Sequence, residues 1–201
     1  MNKEFYIQNS VRLRQGKLYR NKKLLLKSED TSGTNAFLKK LYKELKMNYP
    51  KFYKMDGLCK LGMIAAQALL GENEVSPDTA LVFANSSSSL ETDEQYQESM
   101  AEIPSPSLFV YTLPNIVLGE LSIRYKIQGE NAFFVSENFD AGLLADYTSA
   151  LLEESSTSEV VCGWIDLHNE EYDVFLSHIS GKGKIALSSQ NFEELYDFTH
   201  D

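Results

Sequence analysis

Two cysteines, three histidines and a run of four serines are the groups in this chain most suited to nucleophilic chemistry. Cys59 stands among Lys54 and Lys60, and nearby ammonium groups lower a thiol's pKa, so it is the candidate for a thiolate. Cys162 lies in the apolar run Glu159 to Leu167 and is expected to be a buried, inert thiol. His168 falls in a turn, His178 near the end of a strand and His200 in the tail. A Cys162/His178 dyad can be drawn, but nothing in the spacing selects it. The serine run, Ser86 to Ser89, lacks the glycines and lysine of a phosphate-binding loop. Neither that run nor Ser136 sits in a Gly-x-Ser-x-Gly elbow. No His/Cys/carboxylate set has metal-ligand spacing, so neither a metal nor a cofactor is expected.

The elements that must position these groups follow from periodicity. Phe5 to Arg14 alternates as a strand, and Lys17 to Lys27 reads as a second strand or an extended insertion. Ser28 to Thr34 is a loop. Asn35 to Lys46 has Phe37, Leu38, Leu41, Tyr42 and Leu45 at helical spacing, and Tyr53 to Leu70 is helical again, closed by Gly71. Ala80 to Asn85 is a buried strand, and the serines turn the chain into a polar, acidic helix over Leu90 to Ile103. Ser107 to Val117 is apolar and interrupted by Pro114. Ala132 to Ser136 is a strand. Phe139 to Glu153 is a helix that is apolar around much of its circumference, with Asn138 as its cap. Glu159 to Leu167 and Tyr172 to Ile179 pair as antiparallel strands around His168-Asn169-Glu170. Residues 181–201 form a tail, either a short docking helix or frayed.

The length of 201 residues suits a single domain with a sizeable core, 1–201. No apolar run is long enough to span a membrane, and the N-terminus carries no secretory signal. A reducing cytoplasm is the expected location. The net charge of −10 is uneven: residues 1–60 hold 15 of the 19 Lys/Arg and only 5 of the 29 Asp/Glu. That basic segment either steers an acidic partner or neutralises the acidic remainder of the same molecule. Nucleic acid is excluded as a partner, because the chain as a whole repels phosphate.

One segment carries a family pattern. Thr112-Leu113-Pro114-Asn115, then Gly119, then Leu121-Ser122-Ile123, then Gly129, resembles the β-ketoacyl synthases, condensing enzymes of thiolase-type fold. In that family a Thr-x-Pro-Asn element and a Gly-x-(Ile/Leu)-Ser-(Ile/Leu) element precede a Gly-Pro pair and a short strand. The strand delivers a nucleophilic cysteine, commonly nine residues after the Gly. Here that position is Asn138, and no cysteine lies between Cys59 and Cys162. The resemblance covers residues 50–180, with sharp matches only over 104–142. It implies an α/β fold equal to the N-terminal half of a ketosynthase: a mixed five-stranded sheet with helices on both faces. It implies no catalytic residue, with Asn138 at the cysteine position. Phe109, Tyr111, Leu113, Asn115, Phe133, Phe134 and Phe139 become candidate acyl-chain or interface contacts.

The same resemblance places the helix after Asn138 in a layer that the family's second half covers. This chain has no such half, so the cover is expected from a partner or a second copy, or else from the tail or residues 15–45. The implied function is a non-catalytic, chain-length-factor-like accessory in bacterial fatty-acid-like, polyketide or aryl-polyene biosynthesis. A full-length ketosynthase and an acyl carrier protein are the implied partners, in a homo- or heterodimer. Two other readings stand beside it: a divergent 3-oxoacyl-(acyl carrier protein) synthase or acyltransferase with a non-standard nucleophile, and an acyl-binding structural module.

Overall fold

The computed structural model describes residues 3–27, 33–72, 75–154 and 156–198. His200 and most of the expected loop at 28–34 lie outside them.

Among the described residues eight strands form one mixed sheet. They are β1 (Tyr6–Arg14), β2 (Lys17–Arg20), β3 (Lys23–Lys27), β4 (Ala80–Asn85), β5 (Asn131–Val135), β6 (Glu159–His168), β7 (Glu171–Ser180) and β8 (Ile185–Ala186). Their order is β3-β2-β1-β7-β6-β4-β5, with β8 alongside β1. β4 runs parallel to both β5 and β6, whereas β6–β7, β7–β1, β1–β2 and β2–β3 are antiparallel. The five expected strands are β1, β4, β5, β6 and β7. The sheet is three strands wider than expected, because Lys17 to Lys27 folds back on itself and the tail adds β8.

Two-residue turns explain the extra hairpin. Gln15 and Gly16 between β1 and β2 have φ of 49° and 72°. Asn21 and Lys22 between β2 and β3 have 51° and 63°, and Asn169 and Glu170 between β6 and β7 have 50° and 66°. Two successive left-handed residues match the twist of antiparallel strands.

Helices cover both faces. On one side lie α1 (Thr34–Glu44), the 3-10 turn Pro50–Lys54, α2 (Gly57–Leu70), α3 (Leu90–Ser99), α4 (Pro106–Val110) and α5 (Ile116–Tyr125). Apolar groups of α1, the 3-10 turn, α2 and α5 pack on Val11, Leu81, Phe83, Val161, Ile165 and Leu176. The expected helix at 53–70 therefore begins at Gly57, where the Asp56 side chain accepts from the Cys59 amide at 2.9 Å. α2 is buried along nearly its whole length, as its lack of a polar face requires. On the other side lie α6 (Ala141–Glu153) and α7 (Ser189–Tyr196), packed on Val82, Val160, Trp164 and Phe175.

The start of α6 corrects the expected cap. Asp140, not Asn138, holds the N-terminus: its carboxylate accepts from the Leu143 amide at 2.8 Å, and the helix begins at Ala141. Asn138 instead offers its backbone carbonyl to the Ser136 hydroxyl at 3.0 Å.

The tail supplies cover for α6. Phe192 and Leu195 of α7 are buried in the same cluster as Leu144, Leu151 and Leu152 of α6. At the C-terminal end of α7 an ionic clasp closes the contact. The Arg12 guanidinium pairs with Asp173 and lies 4.4 Å over the Tyr196 ring, and the Tyr196 hydroxyl donates to Asp173 at 2.6 Å. The described residues of 15–45 lie elsewhere than over α6: β2 and β3 widen the sheet, and α1 packs on the opposite face.

Candidate functional site

The position that the family pattern assigns to a nucleophile lies just past β5, at the C-terminal end of the parallel strands β4 and β5. Ligands of open α/β sheets bind at that end. The Ser136 amide donates to the Asn85 carbonyl at 2.9 Å, carrying the β4–β5 pairing to the edge of the site. Asn138 itself is exposed. An exposed carboxamide can donate and accept hydrogen bonds, but it cannot carry an acyl group through a thioester.

Beside it, at the end of β4, the serine run forms a tight, internally satisfied turn. The Asn85 side chain bridges it, donating to the Ser88 carbonyl at 2.8 Å and accepting from the Ser88 amide at 2.9 Å. The Asp166 carboxylate accepts from the Ser86 amide at 3.2 Å, the Ser86 hydroxyl at 2.6 Å and the Ser87 amide at 3.1 Å. The Ser89 hydroxyl donates to the Thr112 carbonyl. The turn thus ties the Thr-x-Pro-Asn segment to the sheet. Its outward amides are already occupied by Asp166, so the run is not an open phosphate cradle. Sequence reasoning missed Asp166. Its one signal was a lone carboxylate near the end of an otherwise apolar strand.

Both thiols are buried, and neither is poised as a thiolate. Lys54 and Lys60 could lower the Cys59 pKa by their charge, although its position is not that of the family's nucleophile. Instead burial, then the nearby Asp56 carboxylate, pushes its pKa well above the ordinary thiol range. Burial alone raises Cys162 to about 12. The Cys162/His178 dyad does not exist. Cys162 stands opposite Ser177, and His178 stands opposite Val161. Cys162 packs in the cluster under α6 while Val161 packs in the one under α2, so the dyad's two side chains leave opposite faces of the sheet. His178 pairs with Glu159 at 3.1 Å.

The candidate contact residues separate into two sets. Phe109 and Leu113 are exposed, at 60% and 59%, and Asn115 is exposed at the start of α5 without capping it. Phe109 packs against Tyr96 of α3 at 5.4 Å between ring centroids. Tyr111 turns inward: its hydroxyl donates to Glu120 at 3.3 Å, and Glu120 pairs with Lys51 at 2.8 Å. Burial and the Glu120 charge raise the Tyr111 pKa far above its ordinary value. A cavity of about 290 Å³ beside Tyr111 is walled by Lys54, Asp56, Lys60 and Glu91. Charged walls do not suit an alkyl chain.

Phe133 and Phe134 are half-buried on opposite faces of β5; Phe134 meets Tyr147 of α6 edge-on at 5.2 Å. Phe139 stacks on Tyr196 at 4.0 Å and abuts Trp164 and Phe175. It is part of the core beneath α7. Val135, which sequence reasoning did not single out, is 59% exposed. β5 ends the sheet, with one edge unpaired among the described residues.

No protein-family model and no curated protein matches the chain in sequence. Solved structures do match in fold. One is the ishigamide ketosynthase/chain length factor, at TM-score 0.61 and 12% identity, covering 88% of this chain and 62% of that one. Another is a ketosynthase in complex with its chain length factor from Xenorhabdus doucetiae, at 0.61 and 14% identity, covering 90% and 80%. A third is a type II polyketide acyl carrier protein in complex with its ketosynthase bound to the hexaketide, at 0.60 and 12%, covering 90% and 63%. The chain therefore has the thiolase-like fold of ketosynthases and chain length factors. It spans less than two thirds of the length of the first and third of these chains.

Proposed function

We propose that this ketosynthase-like chain is a non-catalytic accessory that acts as the chain-length-factor-like partner of an active ketosynthase. The observation that carries the reading is Asn138: the frame around the nucleophile's place is kept, and the nucleophile is not. The burial and raised pKa of both thiols support it, since neither thiol stands ready as a substitute nucleophile. The chain would complete an interface and shape the acyl side of a partner's site, in fatty-acid-like, polyketide or aryl-polyene biosynthesis in the cytoplasm. No helix among the described residues is long and apolar enough to cross a membrane.

The interface we assign is the open edge of β5 with Val135, together with the exposed Phe109, Val110 and Leu113. An uncovered apolar edge strand invites pairing with another chain. An acyl carrier protein, acidic by class, would be drawn to the basic residues of the first sixty positions.

The test is co-expression with the full-length ketosynthases of the same genome, one at a time, followed by capture on a tag carried by one partner. A stoichiometric complex is expected. Its absence, or a stoichiometric acyl adduct on Cys59 or Cys162 after incubation with acyl-carrier protein, would overturn the proposal.

A further inference from the structure

A recess of about 700 Å³ opens at the edge of β1, far along the sheet from β5, and is lined by Lys22, Lys182 and Lys184 with no carboxylate among the described residues. The other two recesses described both carry acids, Asp166 and Asp173 in one, Asp56 and Glu91 in the other. A carboxylate-free set of three lysines is unexpected in a chain with 29 acidic and 19 basic residues. No carboxylate pairs with Lys182 or Lys184 among the described residues.

The notch is made by strand pairing. β2 pairs with Val11 to Arg14 of β1, and β8 pairs with Tyr6 and Ile7 on the same side, which leaves Gln8 to Ser10 between them. A register shift on β1 falls at this point, between Ile7 and Asn9. The Asn21 side chain stands in for a strand there, accepting from the Ser10 amide at 2.8 Å and donating to Asn9 at 2.9 Å. The lysines are held at the rim by backbone. Lys22 is the second left-handed residue of the β2–β3 turn. The Lys182 amide donates to the Ser180 hydroxyl at 3.0 Å. Gly183 lets the turn lie flat on β1, because a Cβ there would be 2.6 Å from the Tyr6 Cβ and 3.0 Å from the Ile7 carbonyl oxygen. Ile7, Ile185 and Leu195 supply an apolar wall.

We propose that this notch binds a small phosphoester that carries an apolar portion, with the phosphate among Lys22, Lys182 and Lys184 and the apolar part against Ile7, Ile185 and Leu195. A phosphate offers near-double charge and several acceptor oxygens to the ammonium groups, where a carboxylate offers one charge and two oxygens. Lysine is a common phosphate partner as a point charge. The volume is in the range of small-molecule sites. The site does not depend on the ketosynthase-partner reading.

Calorimetric titration with octyl phosphate, below its micelle concentration, tests it on the whole chain. Binding should weaken at least about tenfold in the Lys182→Glu/Lys184→Glu variant. It should stay within about twofold in Lys39→Glu/Lys43→Glu, which changes the net charge equally on the exposed face of α1. Equal loss in both variants would reduce the effect to diffuse charge and overturn the site, as would no binding at all. Inorganic phosphate should bind more weakly than octyl phosphate, and equal affinity would overturn the role of the apolar wall. Co-sedimentation with phosphatidylglycerol but not phosphatidylcholine vesicles, lost in the Lys182/Lys184 variant, would assign the head to a lipid. Binding of octyl phosphate without co-sedimentation would assign it to a soluble phosphoester.

Discussion

Asn138 and the two cysteines make opposite predictions about reactivity. The thiols are enclosed by the core, and burial holds their protons on. Native protein at pH 8 is therefore expected to show no fast reaction with a thiol-specific chromophore, and two equivalents after unfolding. Asn138→Cys should add one fast equivalent, since that position is exposed. A fast equivalent in the unsubstituted protein would revive the enzyme reading. The same burial sets an alkaline limit. The folded pKa of Cys162, about 12, lies above its ordinary value of 9.0. Stability from this group is complete below about pH 9 and is lost as pH rises from there through about 12, because the unfolded chain gives up its proton first. Cys59 and Tyr111 are shifted in the same direction. Thermal unfolding followed across pH 7 to 11 should show a steady Tm through neutrality and a decline above about 9. Asp56 behaves differently. Burial raises its pKa, yet its carboxylate caps α2 and accepts from Thr92 at 3.1 Å. Asp56→Asn keeps a cap and removes a buried charge, so denaturant unfolding at pH 7 should find it as stable as the wild type or more so. Asp56→Ala should lose about 1 kcal/mol or more.

Two motif glycines are used in different ways by the elements that carry them. A Cβ at Gly129 would sit 2.4 Å from the Thr79 carbonyl oxygen, where the approach to β5 passes against the start of β4. Nothing lies within 4 Å of one at Gly119, in the middle of α5. Gly119→Ala should stabilise the isolated chain by about 0.5–1 kcal/mol, the ordinary gain for a helix interior. Gly129→Ala should destabilise it by at least about 2 kcal/mol, since backbone must move. Urea titrations of both variants check the pair. The contrast also shows what periodicity and motif can convey. Strands β4 to β7 and helices α1 and α6 were legible, because each carries its own apolar pattern between turn residues. The Lys17–Lys27 hairpin was not, because its turn uses Asn21-Lys22 rather than Asn-Gly. α6 was placed two residues early because Asn138 and Asp140 are both good caps, and the structure has the aspartate in that place. Asp166 and the direction of the Cys59 shift depend on neighbours far along the chain, which a local reading of charge does not include.

The whole molecule divides its apolar surface between what it covers itself and what it leaves open. α7 closes one side of α6, and Arg12 fastens it through Asp173 and Tyr196. Truncating Arg12 leaves Asp173 without its cation but a quarter exposed and still bonded to Tyr196, a loss of about 1–3 kcal/mol. Arg12→Ala should accordingly lower the urea midpoint and expose the Phe139–Tyr196 stack to solvent, which tyrosine fluorescence would report. The other side is not closed in this way. Leu143 and Tyr147 of α6 are half-exposed and Phe134 lies against Tyr147, while Val135 is exposed at the end of the edge strand β5, on the opposite face from Phe134. If that edge is where a ketosynthase joins, a charge there should separate folding from assembly. Val135→Asp removes no buried contact, so its unfolding free energy should stay within about 0.5 kcal/mol of the wild type. In a complex the same carboxylate would be buried without a partner, and capture of the ketosynthase should fall by at least about tenfold. Unchanged capture would place the joining surface elsewhere, with the exposed α4 residues Phe109 and Val110 next to be substituted. A fall in stability equal to the fall in capture would mean instead that β5 serves this chain's own fold.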